Sequence, residues 1–304
     1  MVRPILIFCV ALLCFSVTSA VPIREELKVE GGTLHYRVFG KGKPVVIVGG
    51  IAGAASDYLL PVAQELGKNY RAILVNLRGT GKSTVATVDT ANINVRLILN
   101  DLESLRSTLK LSKWTVLGHS VGGILAMAYA VQFPAQTQAL VLVSSGGINL
   151  DYLNFFSPNV YARLTKEDSL RIDRTMSRLG GDRQGALTEE FQIKLAGFVA
   201  DRKYLATATS WFPKEAYSPE VAQVMWRSLF RANYDFGESL KKFKRPVLQI
   251  QGEQDPVDKR TAVQIHETLK HSKVVYLKNC GHFPWLEQGD EFHKAVTEFL
   301  KSVK

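Results

Sequence analysis

Residues 114–123 read WTVLGHSVGG. A short apolar run leads into Gly118-His119-Ser120-Val121-Gly122, and a helical apolar pattern, VGGILAMAYAVQF, leads out and ends before Pro134. A serine with glycine two residues to either side, between a strand and a helix, predicts a strained turn that lifts its hydroxyl above the end of a sheet. Side chains at 118 and 122 would collide with the neighbouring strand and helix, so glycine is required at both. The same turn aims the N–H of Val121 and the start of the helix at one point, where a developing oxyanion can be held.

The rest of the chain supplies a sheet for that turn. LKVEGGTLHYRVFG alternates around a Gly-Gly break and predicts an antiparallel hairpin at about 26–30 and 34–39. Buried-type strands are predicted at 44–48, 71–77, 114–118, 139–144, 246–251 and 273–277, with helical patterns between many of them. Continuous apolar strands alternating with helices mean an α/β fold, a mainly parallel sheet of eight strands with helices on both faces. The alternation stops between 147 and 243, a stretch rich in aromatics: Tyr152, Phe155, Phe156, Tyr161, Trp211, Phe212, Tyr217, Trp226, Phe230, Tyr234 and Phe236. It is expected to be a helical cap inserted after strand six, roofing a ligand site, with most of its aromatics forming its own core. The core is then 21–146 and 244–304.

A chain of 304 residues, 46% of them hydrophobic, can bury a large core. Its first residues, MVRPILIFCVALLCFSVTSAVPIREE, have a positive start, an apolar stretch and small residues before a cut after Ala20. That order predicts a signal peptide at 1–20 and a secreted or periplasmic protein, with no stable membrane span after its removal. Cys9 and Cys14 leave with it, so the mature chain keeps only Cys280 and no internal disulfide. The formal charge of +10 falls to +9 with the loss of Arg3. Lys and Arg are spread along the chain instead of gathered in a stripe with aromatics, so no nucleic-acid partner is expected.

An activated serine needs a base, and the base needs an orienting acid, here in the order serine, acid, histidine. His282, in NCGHFPWLE, falls in the loop past the last strand, where a base descends onto Ser120. His119 is expected to point away from the nucleophile's face, and His35, His266, His271 and His293 lie in the hairpin, helical patterns or a helix end. IQGEQDPVD offers Asp255 and Asp258, and Asp255 is preferred because it comes first after the Gly252 turn. The second oxyanion donor comes from VGGIAGAASDY, as the N–H of Gly50 or Ile51. Such a mechanism needs no cofactor and no metal.

GTGKST at 79–84 looks like the tail of a phosphate-binding P-loop, but the spacing requires glycine at 76, and Asn76 stands there. With GHSVGG, GEQD and GHFPWLE, the chain resembles the α/β-hydrolase superfamily from about Leu27 to Phe299. Within it, the chain looks most like the proline iminopeptidase group of serine aminopeptidases. NLRGTGKS matches that group's Asp-x-Arg-Gly-x-Gly-x-Ser segment with Asn76 in place of Asp, so Arg78 and Ser83 are expected to tie loops together. The group's His-Gly-Gly-Pro-Gly segment is altered, with Val48 for His and Ile51 or Ala52 for Pro. The resemblance implies the α/β-hydrolase fold and a Ser120–His282–Asp255 triad acting through an acyl-enzyme on a small-molecule or short-peptide substrate. It also implies cap acids that hold a free amino terminus, for which Glu189, Glu190, Glu215 and Glu238 are available. Aminopeptidase or amidase action leads; carboxylesterase or carbon–carbon bond hydrolase action, and a non-turnover ligand-binding role, are the alternatives.

Overall fold

A computed structural model describes residues 23–304. The signal peptide expected at 1–20 lies outside the described residues. In chain order the strands are β1 (Ile23–Val29), β2 (Gly32–Phe39), β3 (Pro44–Val48), β4 (Arg71–Val75), β5 (Thr84–Val85), β6 (Trp114–His119), β7 (Thr137–Val143), β8 (Val247–Gly252) and β9 (Lys273–Leu277). They form one sheet of order β1-β2-β4-β3-β6-β7-β8-β9, with β5 paired to β2. From β4 through β3 to β9 every pairing is parallel, while β1, β2 and β5 make an antiparallel edge. The sheet thus has nine strands where eight were expected. The extra one, β5, has two residues, too few for a periodic signal.

Alternate residues of the parallel strands point to opposite faces. Val45 and Ile47 of β3 pack on one side with Val62, Leu66, Phe292 and Val296. Val46 and Val48 pack on the other with Ile98, Leu102, Leu125 and Ile265. The helices concerned are α1 (Leu60–Gly67), α2 (Val95–Thr108) and α3 (Val121–Gln132) in the first half, and α10 (Lys259–Thr268) and α12 (Gly289–Ser302) in the second. Between β7 and β8 lie α4 (Leu153–Tyr161), α5 (Lys166–Met176), α6 (Arg183–Lys194), α7 (Leu205–Ser210), α8 (Pro219–Ala232) and α9 (Gly237–Leu240), and no strand. The short α11 (Pro284–Glu287) follows β9.

The segment NLRGTGKS is a structural knot. Arg78 is buried, and its guanidinium donates to Asp101 Oδ1 at 2.8 Å, to the Glu30 carbonyl at 2.6 Å and to the Asn92 carbonyl at 3.1 Å. Ser83 Oγ donates to the Asn76 carbonyl at 2.7 Å and accepts the His35 N–H at 2.8 Å. Asn76 Oδ1 accepts the Ser56 N–H at 2.8 Å. These contacts join β2, β4, α2 and the loop after β3, as the resemblance implied for Arg78 and Ser83.

Candidate active site

Ser120 sits between β6 and α3 with φ +56° and ψ −120°, a conformation that costs about 1–3 kcal/mol in a non-glycine residue. The surroundings enforce it. The Ser120 N–H donates to the Val143 carbonyl at 3.0 Å, and its carbonyl accepts from Gly123 and Gly146 at 2.9 and 3.0 Å. A Cβ on Gly118 would lie 2.1 Å from the Gly122 carbonyl oxygen, and one on Gly122 would lie 2.2 Å from that of Val48. Both glycines are therefore required by close approach, as the spacing predicts.

His282 and Asp255 meet beneath the cap. His282 Nδ1 lies 2.9 Å from Asp255 Oδ1, which also accepts the Val257 N–H at 2.9 Å. Both side chains are fully buried, and His282 Nε2 has no hydrogen-bond partner among the described residues. Asp258 does something else: it caps α10 and pairs with Arg260. The two aspartates are placed differently because the first residues after β8 stay inside, while Asp258 at the helix cap is partly exposed.

His119 is fully buried beside His282. Its ring centroid lies 4.7 Å from that of His282, because the His282 loop folds over the end of β6. Burial holds the His119 imidazole well below its ordinary value and hence neutral. Its Nε2 is 2.9 Å from the His282 carbonyl, which can only accept, so Nε2 carries the proton. Nδ1 then accepts from Tyr58 Oη at 2.9 Å, and Tyr58 Oη accepts the Gly50 N–H at 2.8 Å. A directional chain runs from the loop after β3 through Tyr58 and His119 to the His282 backbone. Gly50 is thereby engaged and closely packed, since a Cβ there would lie 1.8 Å from the His119 carbonyl oxygen. The Ile51 N–H also reaches the Tyr58 hydroxyl, so that contact does not separate the two donors weighed for this loop. Both residues line the cavity onto which Ser120 opens.

A buried neutral histidine has a pH signature. The unfolded chain binds a proton near pH 6.5 that the native His119 refuses, so stability falls as pH drops below that value. The slope is about 1.4 kcal/mol per pH unit for each such group. Burial depresses His35 and His293 in the same direction. Urea melts at pH 7.5 and 5.5 will show the loss, and His119→Gln will reduce it; an equal loss in that variant removes His119 as a cause.

A model of the α/β hydrolase fold matches residues 43–288. The chain belongs to that family. It is 25% identical to the 2-hydroxy-6-oxo-6-(2'-aminophenyl)hexa-2,4-dienoic acid hydrolase of Metapseudomonas resinovorans, covering 91% of each chain. It is also 25% identical to a proline iminopeptidase of Saccharolobus solfataricus, covering 88% of each. An α/β fold family hydrolase from Bacillus anthracis superposes with a TM-score of 0.73 over 91% of this chain and 99% of that one, at 21% identity.

In this hydrolase the cap is hydrogen-bonded to the loops that carry His282, Asp255 and the Gly50–Ile51 pair. Phe198 accepts the His282 N–H at 2.7 Å, Asn159 donates to the Pro256 carbonyl at 3.0 Å, and Ala216 accepts from Ala55 at 2.9 Å. Glu287, which the sequence did not single out, is the main fastener. Its carboxylate accepts the N–H groups of Gly281 and Phe283, either side of His282, at 3.0 and 3.2 Å, and that of Ala200 in the cap at 2.7 Å. Burial pushes Glu287 up, and the three donors oppose the shift. Its signal was an acid five residues after His282 in an otherwise apolar segment. Cys280 is fully buried and its thiol is pushed up, so it is inert.

The cavity above Ser120 measures about 760 Å³. Tyr152, Phe156, Tyr161, Phe191, Phe198, Tyr217, Trp226 and Phe230 line it, eight of the fifteen aromatics between 147 and 243, where most were expected to form the insertion's own core. Among the described residues, no aspartate or glutamate lines it. The acids considered for holding an amino terminus are placed otherwise: Glu189 pairs with Arg178, Glu190 with Lys194, Glu238 with Lys241, and Glu215 is exposed.

Proposed function

We propose that the chain is a secreted serine hydrolase that cleaves esters of small, largely apolar acyl groups. Ser120 Oγ attacks the carbonyl carbon while His282 Nε2 takes its proton. Asp255 orients His282 and balances the charge it gains, and the N–H groups of Val121 and of Gly50 or Ile51 hold the oxyanion. The tetrahedral intermediate collapses, His282 gives its proton to the leaving oxygen, and water then releases the acyl group from Ser120 by the same steps. The observation that carries this reading is the His282–Asp255 pair, with an unpartnered Nε2, packed against the walls of the cavity onto which the strained Ser120 opens.

The relatives include a hydrolase named for a dienoic acid and a peptidase named for proline. The cavity's lining favours an acyl group without a free amine, since an ammonium there would meet Lys194, Arg227 and Arg231 and no carboxylate. An aminoacyl substrate stays as the second reading because Glu190 lines an adjoining cleft that shares Phe191 and Tyr217 with the cavity. Short and medium acyl 4-nitrophenyl esters assayed beside proline and other aminoacyl arylamides will separate the two. Esters are expected to exceed arylamides by at least about tenfold in kcat/KM, a difference of 1.4 kcal/mol. A preference for the arylamides overturns the ester reading. Secretion rests on the leader at 1–20: protein recovered from the periplasm or medium should begin at Val21.

A further inference from the structure

The cavity wall formed by α8 is charged in one sense only. Gln223, Trp226, Arg227, Phe230 and Arg231 line the cavity, at spacings of three and four that put them on one stripe of the helix. The opposite stripe, with Val221, Met225 and Leu229, is buried, and Leu229 packs with Val121 beside Ser120. The charged lining residues are Lys194, Arg227 and Arg231, and none is acidic. Glu190 neutralises Lys194 at 2.5 Å. Arg231 donates to the Thr90 hydroxyl at 3.1 Å, and among the described residues neither arginine has a carboxylate partner. A position near the helix C-terminus favours a cation at 231 through the helix dipole, but that effect fades within the last turn and does not account for Arg227. Between and beside these guanidiniums, Phe230 and Tyr161 are 53% and 46% exposed at the same rim.

Two guanidiniums one turn apart at the mouth of an aromatic cavity form a fork for an oxyanion, and the exposed rings next to them offer a surface for an apolar chain. We infer that the substrate is an anionic amphiphile: its acyl body lies in the aromatic cavity, and a carboxylate or phosphate at the end remote from the scissile bond is held by Arg227 and Arg231. This deepens the proposed ester hydrolysis and rests on it for the substrate's reacting end. It also gives the cavity a polarity opposite to the one an amino-terminal clamp requires.

The test has a catalytic and a binding arm. In the first, 4-nitrophenyl hydrogen suberate is compared with its methyl-capped neutral counterpart, in the wild type and in Arg227→Gln/Arg231→Gln. The wild type is expected to prefer the anionic ester by about tenfold in kcat/KM, mainly through KM, and the double variant to lose that preference. The preference should also shrink as salt is raised from 0.02 to about 0.5 M. In the second arm, octanoate and octyl phosphate are titrated into Ser120→Ala protein and followed by thermal shift. Stabilisation that depends on the two arginines supports the site without any turnover, and the stronger of the two ligands distinguishes carboxylate from phosphate. If neutral esters turn over but neither arm shows an arginine-dependent preference for anions, this inference fails while the hydrolase reading stands. If anions bind through the arginines and no ester turns over, the hydrolase reading fails instead.

Discussion

Ser120→Ala is expected to lower turnover by at least about 10⁴-fold, toward 10⁶, while leaving a folded protein. The change removes the only atom proposed to bond to the substrate, and the residual rate measures what oriented N–H donors and binding contribute alone. Alanine keeps the Cβ, and with it the strain of φ +56°, so its melting temperature should stay within about 2 °C of the wild type. Ser120→Gly should be equally inactive and should melt higher, because glycine adopts that backbone without strain. Steady-state kinetics, labelling by a fluorophosphonate and thermal melts read all three. Undiminished turnover in the alanine variant would end the mechanism proposed for Ser120, His282 and Asp255.

The largest effect on stability is expected far from the cavity mouth, at Asp101. Arg78 is 1% exposed and Asp101 is 3% exposed, and the guanidinium also holds two backbone carbonyls. Removing the carboxylate in Asp101→Ala leaves a buried cation without its counter-charge, at a cost of about 3–5 kcal/mol. For a chain of this size that lowers the melting temperature by about 10 °C. Arg78→Met in the same background should recover part of the loss, since the unpaired charge is then gone. If Asp101→Ala melts within 2 °C of the wild type, the pair is not holding NLRGTGKS in place.

Much of this could be read along the chain. Strand and helix periods, the glycines around Ser120 and the order of Ser120, Asp255 and His282 are local or ordinal properties. The strain at Ser120 needs only its near neighbours, and Asp255 precedes Asp258 because the first residues after a buried strand are still inside. The two-residue β5 escaped because a strand that short carries no pattern. Its existence depends on pairing with Gly32 and Thr33, some fifty positions earlier.

The remaining features belong to contacts between segments distant in sequence. His119 bonds the carbonyl of His282 across 163 positions, and Ala200 bonds Glu287 across 87. Only the folded structure brings the Tyr58 hydroxyl to the N–H groups of Gly50 and Ile51. That the cap's rings face the cavity, that Glu189, Glu190 and Glu238 are paired with Arg178, Lys194 and Lys241, and that Arg227 and Arg231 line the same cavity as Ser120 all follow from how the insertion folds and docks on the sheet. The sequence by itself determined the family, the strained turn at Ser120 and the chain order of Ser120, Asp255 and His282, because those are set by periodicity and close backbone approach. Only the tertiary structure decided the relay behind His282, the fastening by Glu287 and the sign of the charge over the cavity. Each of those depends on which side chains a folded chain brings within hydrogen-bonding or Coulombic reach.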